Sequence, residues 1–339
     1  MSRWRPGPIS IIVFVAALLP MCELMLPQSA HITEAVRGVF LYAILALGLN
    51  VVTGYAGLLN LGIAAFMAIG AYAFAILTCE IYPFQFGFWP GLLLTLPIGA
   101  LFGFLLGAPT LRLRGDYLAI VTLGFGEIVQ DVLKNLDTIT KGTQGINPVP
   151  APSFGGSMWT ADDEYKWYYL LLALMVVVIL GVRNLERSRL GRAWFSIRED
   201  ELASRSMGIR VERIKMLAFS AAAAIAAFAG GISASMLSST GEPSNYDFQV
   251  SVLALCIVIV GGIGSIAGVL VGALVMIGLN SIVLVKATAA LDALGIGAQG
   301  NVLLSPNNWK YLIFGLALVL AVRLKPHGLV PPRIERRAS

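Results

Sequence analysis

The chain has 339 residues, of which 57% are hydrophobic and 13% charged, and a formal net charge of +5; its mean hydropathy is +0.80. That charged fraction is about half the share in a soluble domain, and the apolar runs reach membrane-spanning length, so a soluble protein is excluded and an all-α integral membrane protein is expected. The basic balance does not point to nucleic acid, because the Lys and Arg residues sit in short segments beside apolar runs, where they orient the chain in a bilayer.

A hydrocarbon core of about 30 Å needs roughly 20 helical residues. Cut on that length, the chain gives about ten spans, near residues 9–26, 36–53, 58–78, 90–109, 116–134, 167–183, 214–238, 249–262, 264–285 and 309–323. The first could be mistaken for a secretory signal, but no Ala-x-Ala site follows, and Pro20 and Glu23 interrupt the cleavage region. Residues 1–30 are therefore read as a retained transmembrane helix with Arg3 and Arg5 in the cytoplasm. The segment Phe248–Val285 decides the count: as one helix its 38 residues would run about 57 Å. It must turn back, and Gly261-Gly262-Ile263-Gly264-Ser265 is the natural place.

Charge placement supports ten crossings. Arg3/Arg5, Arg112/Arg114, the segment 183–216 and the tail with Arg323, Lys325, Arg333, Arg336 and Arg337 all fall on one side, which the positive-inside rule makes cytoplasmic. The opposite connections, 78–89, 135–166, 238–247 and 286–308, carry no excess of positive charge. Two of them, 135–166 and 286–308, are long enough to suggest a function.

Residues 183–216 form a charged island, with nine Lys/Arg and five Asp/Glu between two uncharged runs, 167–182 and 217–237. Such a segment suits a surface that receives a soluble partner. Glycines cluster at 54–62 and 261–278, where small residues either let helices pack closely or let a helix break so that its backbone lines a path. Gly264, Gly268 and Gly272 are expected on one helix face. Glu127 lies eleven residues beyond Asp116, about 16 Å along a helix. A carboxylate at that depth is costly unless it faces protein or water, so it is expected to face the bundle interior, as a route residue or as a buried helix–helix contact. Asn50, Asn60 and Asn280 pose the same question more weakly.

Enzyme chemistry finds little support. No GxxxxGK[ST] phosphate loop is present, and the two histidines, His31 and His327, have no Ser, Cys or metal partner at motif spacing. Cys22, Cys79 and Cys256 are widely separated and read as packing residues. No cofactor is expected.

Five ordered segments carry a resemblance: GYAGLLNLGIAAFMAIGAYAFAIL (54–77), LRLRGDYLAIVTLGFGEIVQDVLKN (111–135), KGTQGI (141–146), LGRAWFSIREDELASRSMGI (190–209) and IVIVGGIGSIAGVLVGA (257–273). Together they resemble the LivM-type permease of bacterial branched-chain amino acid ABC importers, over roughly residues 36–330. The resemblance implies a type II-like importer permease spanning 31–330, with a short cytoplasmic tail at 331–339. It implies four kinds of neighbour: a LivH-type permease, two cytoplasmic ATPases, a periplasmic amino-acid-binding protein and the bilayer of the inner membrane. Related systems carry urea or short-chain amides, so the family speaks to architecture more than to cargo.

By the same analogy the island contains a coupling helix, for which Glu201-Leu202-Ala203-Ser204-Arg205-Ser206-Met207-Gly208 is a degenerate match with Leu202 where the pattern has Ala. Ala203, Ser204 and Met207 are expected to face an ATPase groove, Arg198, Glu199, Asp200, Glu201 and Arg205 to orient the segment, and Gly208 to end the helix. Route candidates are Glu127, Thr122, Asn60, Gly57 and Gly264. An ion-coupled secondary transporter is the competing class; it would normally show intramembrane acids or a cation site from unwound helices.

Overall fold

A computed structural model of the protein describes residues 32–110, 116–154, 157–159, 163–279, 309–325 and 328–331, with Val13, Ala16, Ala17, Leu19 and Pro20 of the first span. The rest of that span, His31, Arg112/Arg114, Asn280, the 286–308 connection, His327 and the tail arginines from Arg333 lie outside the described residues.

The fold is all-α apart from a two-residue antiparallel ladder, β1 (Ser153–Phe154) with β2 (Ser157–Met158). Helix α1 (Ile32–Asn50) continues into a wider π-turn at Val51–Tyr55. It is followed by α2 (Ile63–Thr78), α3 (Phe88–Thr110) and α4 (Asp116–Asn135). After the short α5 (Asp137–Thr140) come α6 (Glu164–Arg187), α7 (Arg189–Glu199) and α8 (Glu201–Ser206). The chain closes with α9 (Val211–Met236), α10 (Phe248–Gly261), α11 (Ile266–Gly278) and α12 (Lys310–Leu324). Five described helical segments, 36–55, 88–108, 164–187, 211–236 and 243–261, are long and apolar enough to cross a membrane, and α2 and α11 are shorter apolar helices.

Two helices make the core. Helix α1 is buried nearly all round, with Ile44, Leu45, Leu47 and Leu49 fully enclosed, and α9 packs against α1, α2 and α3. Small residues allow that approach. A Cβ at Gly230 would strike the Met67 carbonyl, and one at Gly70 the Ala227 backbone, so α2 and α9 touch backbone to backbone. Helices α3, α6 and α12 lie outside and expose apolar side chains, among them Leu101, Leu105, Val177, Leu180, Leu316 and Val319. Faces of that kind suit hydrocarbon.

The expected turn-back is present: α10 stops at Gly261, Gly262 and Gly264 take φ of +130° and +84°, and Ser265 Oγ accepts the Gly268 amide at 3.1 Å to start α11. Gly264 therefore sits in the turn and not on a helix face with Gly268 and Gly272. Those two glycines pack against the backbones of Gly261 and Ile257.

The connections sort into two ends. At one end Ile146 and Thr240 are paired, with the Ile146 amide on Thr240 Oγ1 at 2.9 Å and the Thr240 amide on the Ile146 carbonyl at 3.1 Å, and the Tyr82 hydroxyl donates to Ile139. At the other end the α7–α8 segment meets the π-turn, and the Leu329 and Val330 amides donate to the α10 carbonyls of Val260 and Gly261, both at 2.9 Å. Among the described connections, 78–89, 135–150 and 238–247 thus share the first end, and 51–62, 183–210 and 261–265 the second.

Candidate functional site

The second end of the bundle holds a helix break with the short helices α7 and α8 beneath it. The break spans 51–62. Residues 56–62 are non-helical, and three amides at the start of α2 are met by side chains: Leu61 by Thr122 Oγ1 at 3.0 Å and Ala64 by Ser251 Oγ at 3.1 Å from other helices, and Gly62 by the nearby Asn60 Oδ1 at 2.9 Å. Thr122 is six residues into α4, about 9 Å along it, so α2 starts well inside the span of its neighbour. Its 16 residues cover only about 24 Å. The irregular stretch makes up the remainder, which hydrocarbon tolerates only because protein groups satisfy its backbone.

Four of the five route candidates gather here. Asn60 and Thr122 are fully buried, Gly57 is exposed with φ +68°, and the Gly264 amide donates to Asn50 Oδ1 at 2.8 Å. Asn50 and Asn60 each leave the amide nitrogen unpaired among the described residues, so two buried donors sit at the break.

Glu127 is elsewhere and, among the described residues, does not face the bundle interior. Its side chain is exposed on the outer face of α4 with Tyr117, Ile120, Val121, Asp131 and Val132, while Leu118, Ala119, Thr122, Gln130 and Leu133 face inward. Among the described residues, no atom of a neighbouring element lies within 4 Å of a Cβ built at Gly124, one turn away. Two carboxylates one turn apart on this apolar face would be costly against lipid.

Below the break, each helix start is capped by its own sequence. Ser188 Oγ accepts the Gly191 amide at 3.2 Å, and Asp200 Oδ1 accepts those of Leu202 at 2.8 Å and Ala203 at 3.0 Å. Trp194 and Ile197 seat α7 on the bundle, with Trp194 Nε1 donating to the Ile214 carbonyl at 2.8 Å. Helix α8 ends as expected at Gly208, φ +84°, whose amide donates to the Arg205 carbonyl while that of Ile209 reaches the Ser204 carbonyl, both at 3.1 Å. That pair of bonds is a Schellman closure, which glycine permits.

The outward face of α8 differs from the expected one. Ser204 is buried against Ser196, Oγ to Oγ 2.7 Å, so Ala203, Ser204 and Met207 do not form one surface. The exposed face is Ala203 with Leu202 at 69% and Met207 at 85%. Glu201 turns back to Lys215 on α9 at 2.7 Å, and Arg205 pairs with Glu212 at 2.9 Å. Glu199 is exposed. Arg198 points inward, its Nη1 donating to the Gly54 carbonyl at 2.6 Å. Sequence reasoning did not anticipate that link or the Lys215 anchor; the one available signal for the anchor is that Lys215 is the last charge of α9 before its uncharged run.

A buried discontinuous helix in an all-α bundle, with an apolar-tipped helix exposed beneath it, is the build of a multi-pass membrane permease. The chain belongs to the family described as branched-chain amino acid transport system permease component, whose pattern matches residues 32–322. It is 39% identical over 312 residues to the high-affinity branched-chain amino acid transport system permease protein LivM of Salmonella typhimurium, and equally to that of Escherichia coli, in each case over 86% of this chain and 68% of the relative. A probable LivM of Methanocaldococcus jannaschii is 24% identical over 330 residues, covering 86% of this chain and 91% of the relative. No solved structure matches.

Proposed function

We propose that the chain is one half of the membrane domain of an ATP-driven importer in a bacterial inner membrane, carrying leucine, isoleucine or valine. The observation that carries this reading is the 39% identity with two LivM permeases over most of the chain. Its expected neighbours are a LivH-type permease, two cytoplasmic ATPases and a periplasmic amino-acid-binding protein.

Leu202, Ala203 and Met207 form the surface that enters an ATPase groove, and the Glu201–Lys215 pair passes the motion of α8 to α9. The outer face of α4 turns toward the second permease. Glu127 and Asp131 have no cover there among the described residues, and a partner or a water-filled route between the two permeases removes the penalty of placing them in lipid. On this account Glu127 borders the route from the partner-facing side, and Asn60, Thr122, Gly57 and Gly264 shape the break that bounds it from within.

Co-expression with the neighbouring transport components and purification in mild detergent tests the assembly. A stable complex containing the second permease and both ATPases is expected. Recovery of the chain alone, with ion-driven uptake by it, would place it among secondary transporters.

A further inference from the structure

The α7–α8 segment reaches the helix break through one side chain. Arg198 is the penultimate residue of α7, two positions before the Asp200 cap of α8, and its guanidinium donates to the Gly54 carbonyl inside the π-turn at 2.6 Å. The surroundings leave it a narrow seat. A Cβ at Gly57 would lie 2.9 Å from Arg198 Cγ, and one at Gly264 would lie 3.2 Å from Nη1. Both glycines have positive φ, so each takes a backbone form that also keeps the seat clear. The two turns that flank the guanidinium are themselves joined, since Asn50 Oδ1 holds the Gly264 amide at 2.8 Å and a Cβ at Gly54 would come 2.8 Å from that same nitrogen.

Arg198 forms no ion pair among the described residues. A guanidinium held by a neutral carbonyl is bound more weakly than one held by a carboxylate, and it can leave and return without stranding a buried negative charge. This separates it from Lys215, which holds α8 through an acid.

We propose that Arg198 is a positioning residue that makes the opening of the helix break depend on the place of α8. With the guanidinium on Gly54, the π-turn, the 262–265 turn and the 56–62 stretch are held as one unit. When a docked ATPase shifts α8, Arg198 is drawn off the Gly54 carbonyl and the break is free to rearrange. The inference rests on the ATP-driven reading above.

The test uses the complete transporter in proteoliposomes, with leucine uptake and ATP hydrolysis measured on the same vesicles. In Arg198→Met the uptake per ATP hydrolysed should fall about tenfold, the scale of one charge-assisted hydrogen bond, and Arg198→Lys should recover part of it. Gly57→Val, which crowds the arginine stem without removing it, should shift the ratio the same way. Uptake and hydrolysis falling in parallel, or an unchanged ratio, would overturn the proposal. If Arg198→Met does not assemble, Arg198→Lys decides: a ratio lowered severalfold supports the latch, and a wild-type ratio refutes it. Failure of the underlying reading is distinct, because the unmodified complex would then show no ATP-dependent uptake at all.

Discussion

Removing either partner of the Glu201–Lys215 pair should destabilise the protein by unequal amounts. The Lys215 side chain is 8% exposed, that of Glu201 30%, and the charged atoms are 2.7 Å apart. Glu201→Gln leaves an ammonium where little water reaches. Loss of one member of a buried pair costs about 3–5 kcal/mol, and screening at the half-open glutamate lowers this to about 2–3 kcal/mol. Lys215→Met instead removes the buried charge, fills the site with a side chain of similar length, and leaves a carboxylate free to turn toward water or Arg205, 3.8 Å away. Its cost should be about 1 kcal/mol or less. The double variant should then be more stable than Glu201→Gln alone. Reversible unfolding of the purified chain in mixed detergent micelles measures all four proteins. A loss in Lys215→Met equal to or larger than that in Glu201→Gln, or strictly additive losses in the double variant, would refute the burial argument.

Met207→Asp should leave insertion and unfolding unchanged, since the side chain is 85% exposed, yet reduce recovery of the ATPases; undiminished recovery would mean that α8 is not the docking surface. Cysteines at Ser188 and Ser157 should label from opposite sides of the membrane, and labelling of Ser188→Cys from outside intact cells would reverse the topology. If Glu127 borders the route of an ATP-driven permease, Glu127→Gln should retain much of the uptake while Glu127→Leu impairs it. Loss of accumulation in Glu127→Gln alone would indicate proton coupling, and full activity in Glu127→Leu would remove the residue from the route.

Much of the fold is legible along the chain because single local signals suffice. The return at 261–265 follows from length and glycine, and the end of α8 at Gly208 follows from a glycine at the one position that takes a left-handed turn. The site is less legible, because its contacts are distant in sequence. Thr122 caps an amide 61 positions away, Ser251 one 187 away, and Arg198 a carbonyl 144 away. A charge pattern reads Arg198 as surface, since nothing near it in sequence announces its acceptor. The face of Glu127 is illegible for another reason: helical spacing tells which residues share it, but with polar groups on both sides of the span, Glu127 and Asp131 on one and Thr122 and Gln130 on the other, it cannot tell which face meets the protein's own core.

Leucine uptake into proteoliposomes containing the chain, a second permease and both ATPases, with the binding protein outside and ATP within, decides whether the chain is half of an ATP-driven importer of aliphatic amino acids. Accumulation that needs ATP and every component, and that isoleucine and valine compete while urea and short amides do not, is the expected result. Uptake without the ATPases, or competition by urea or amides and not by the aliphatic amino acids, would contradict it.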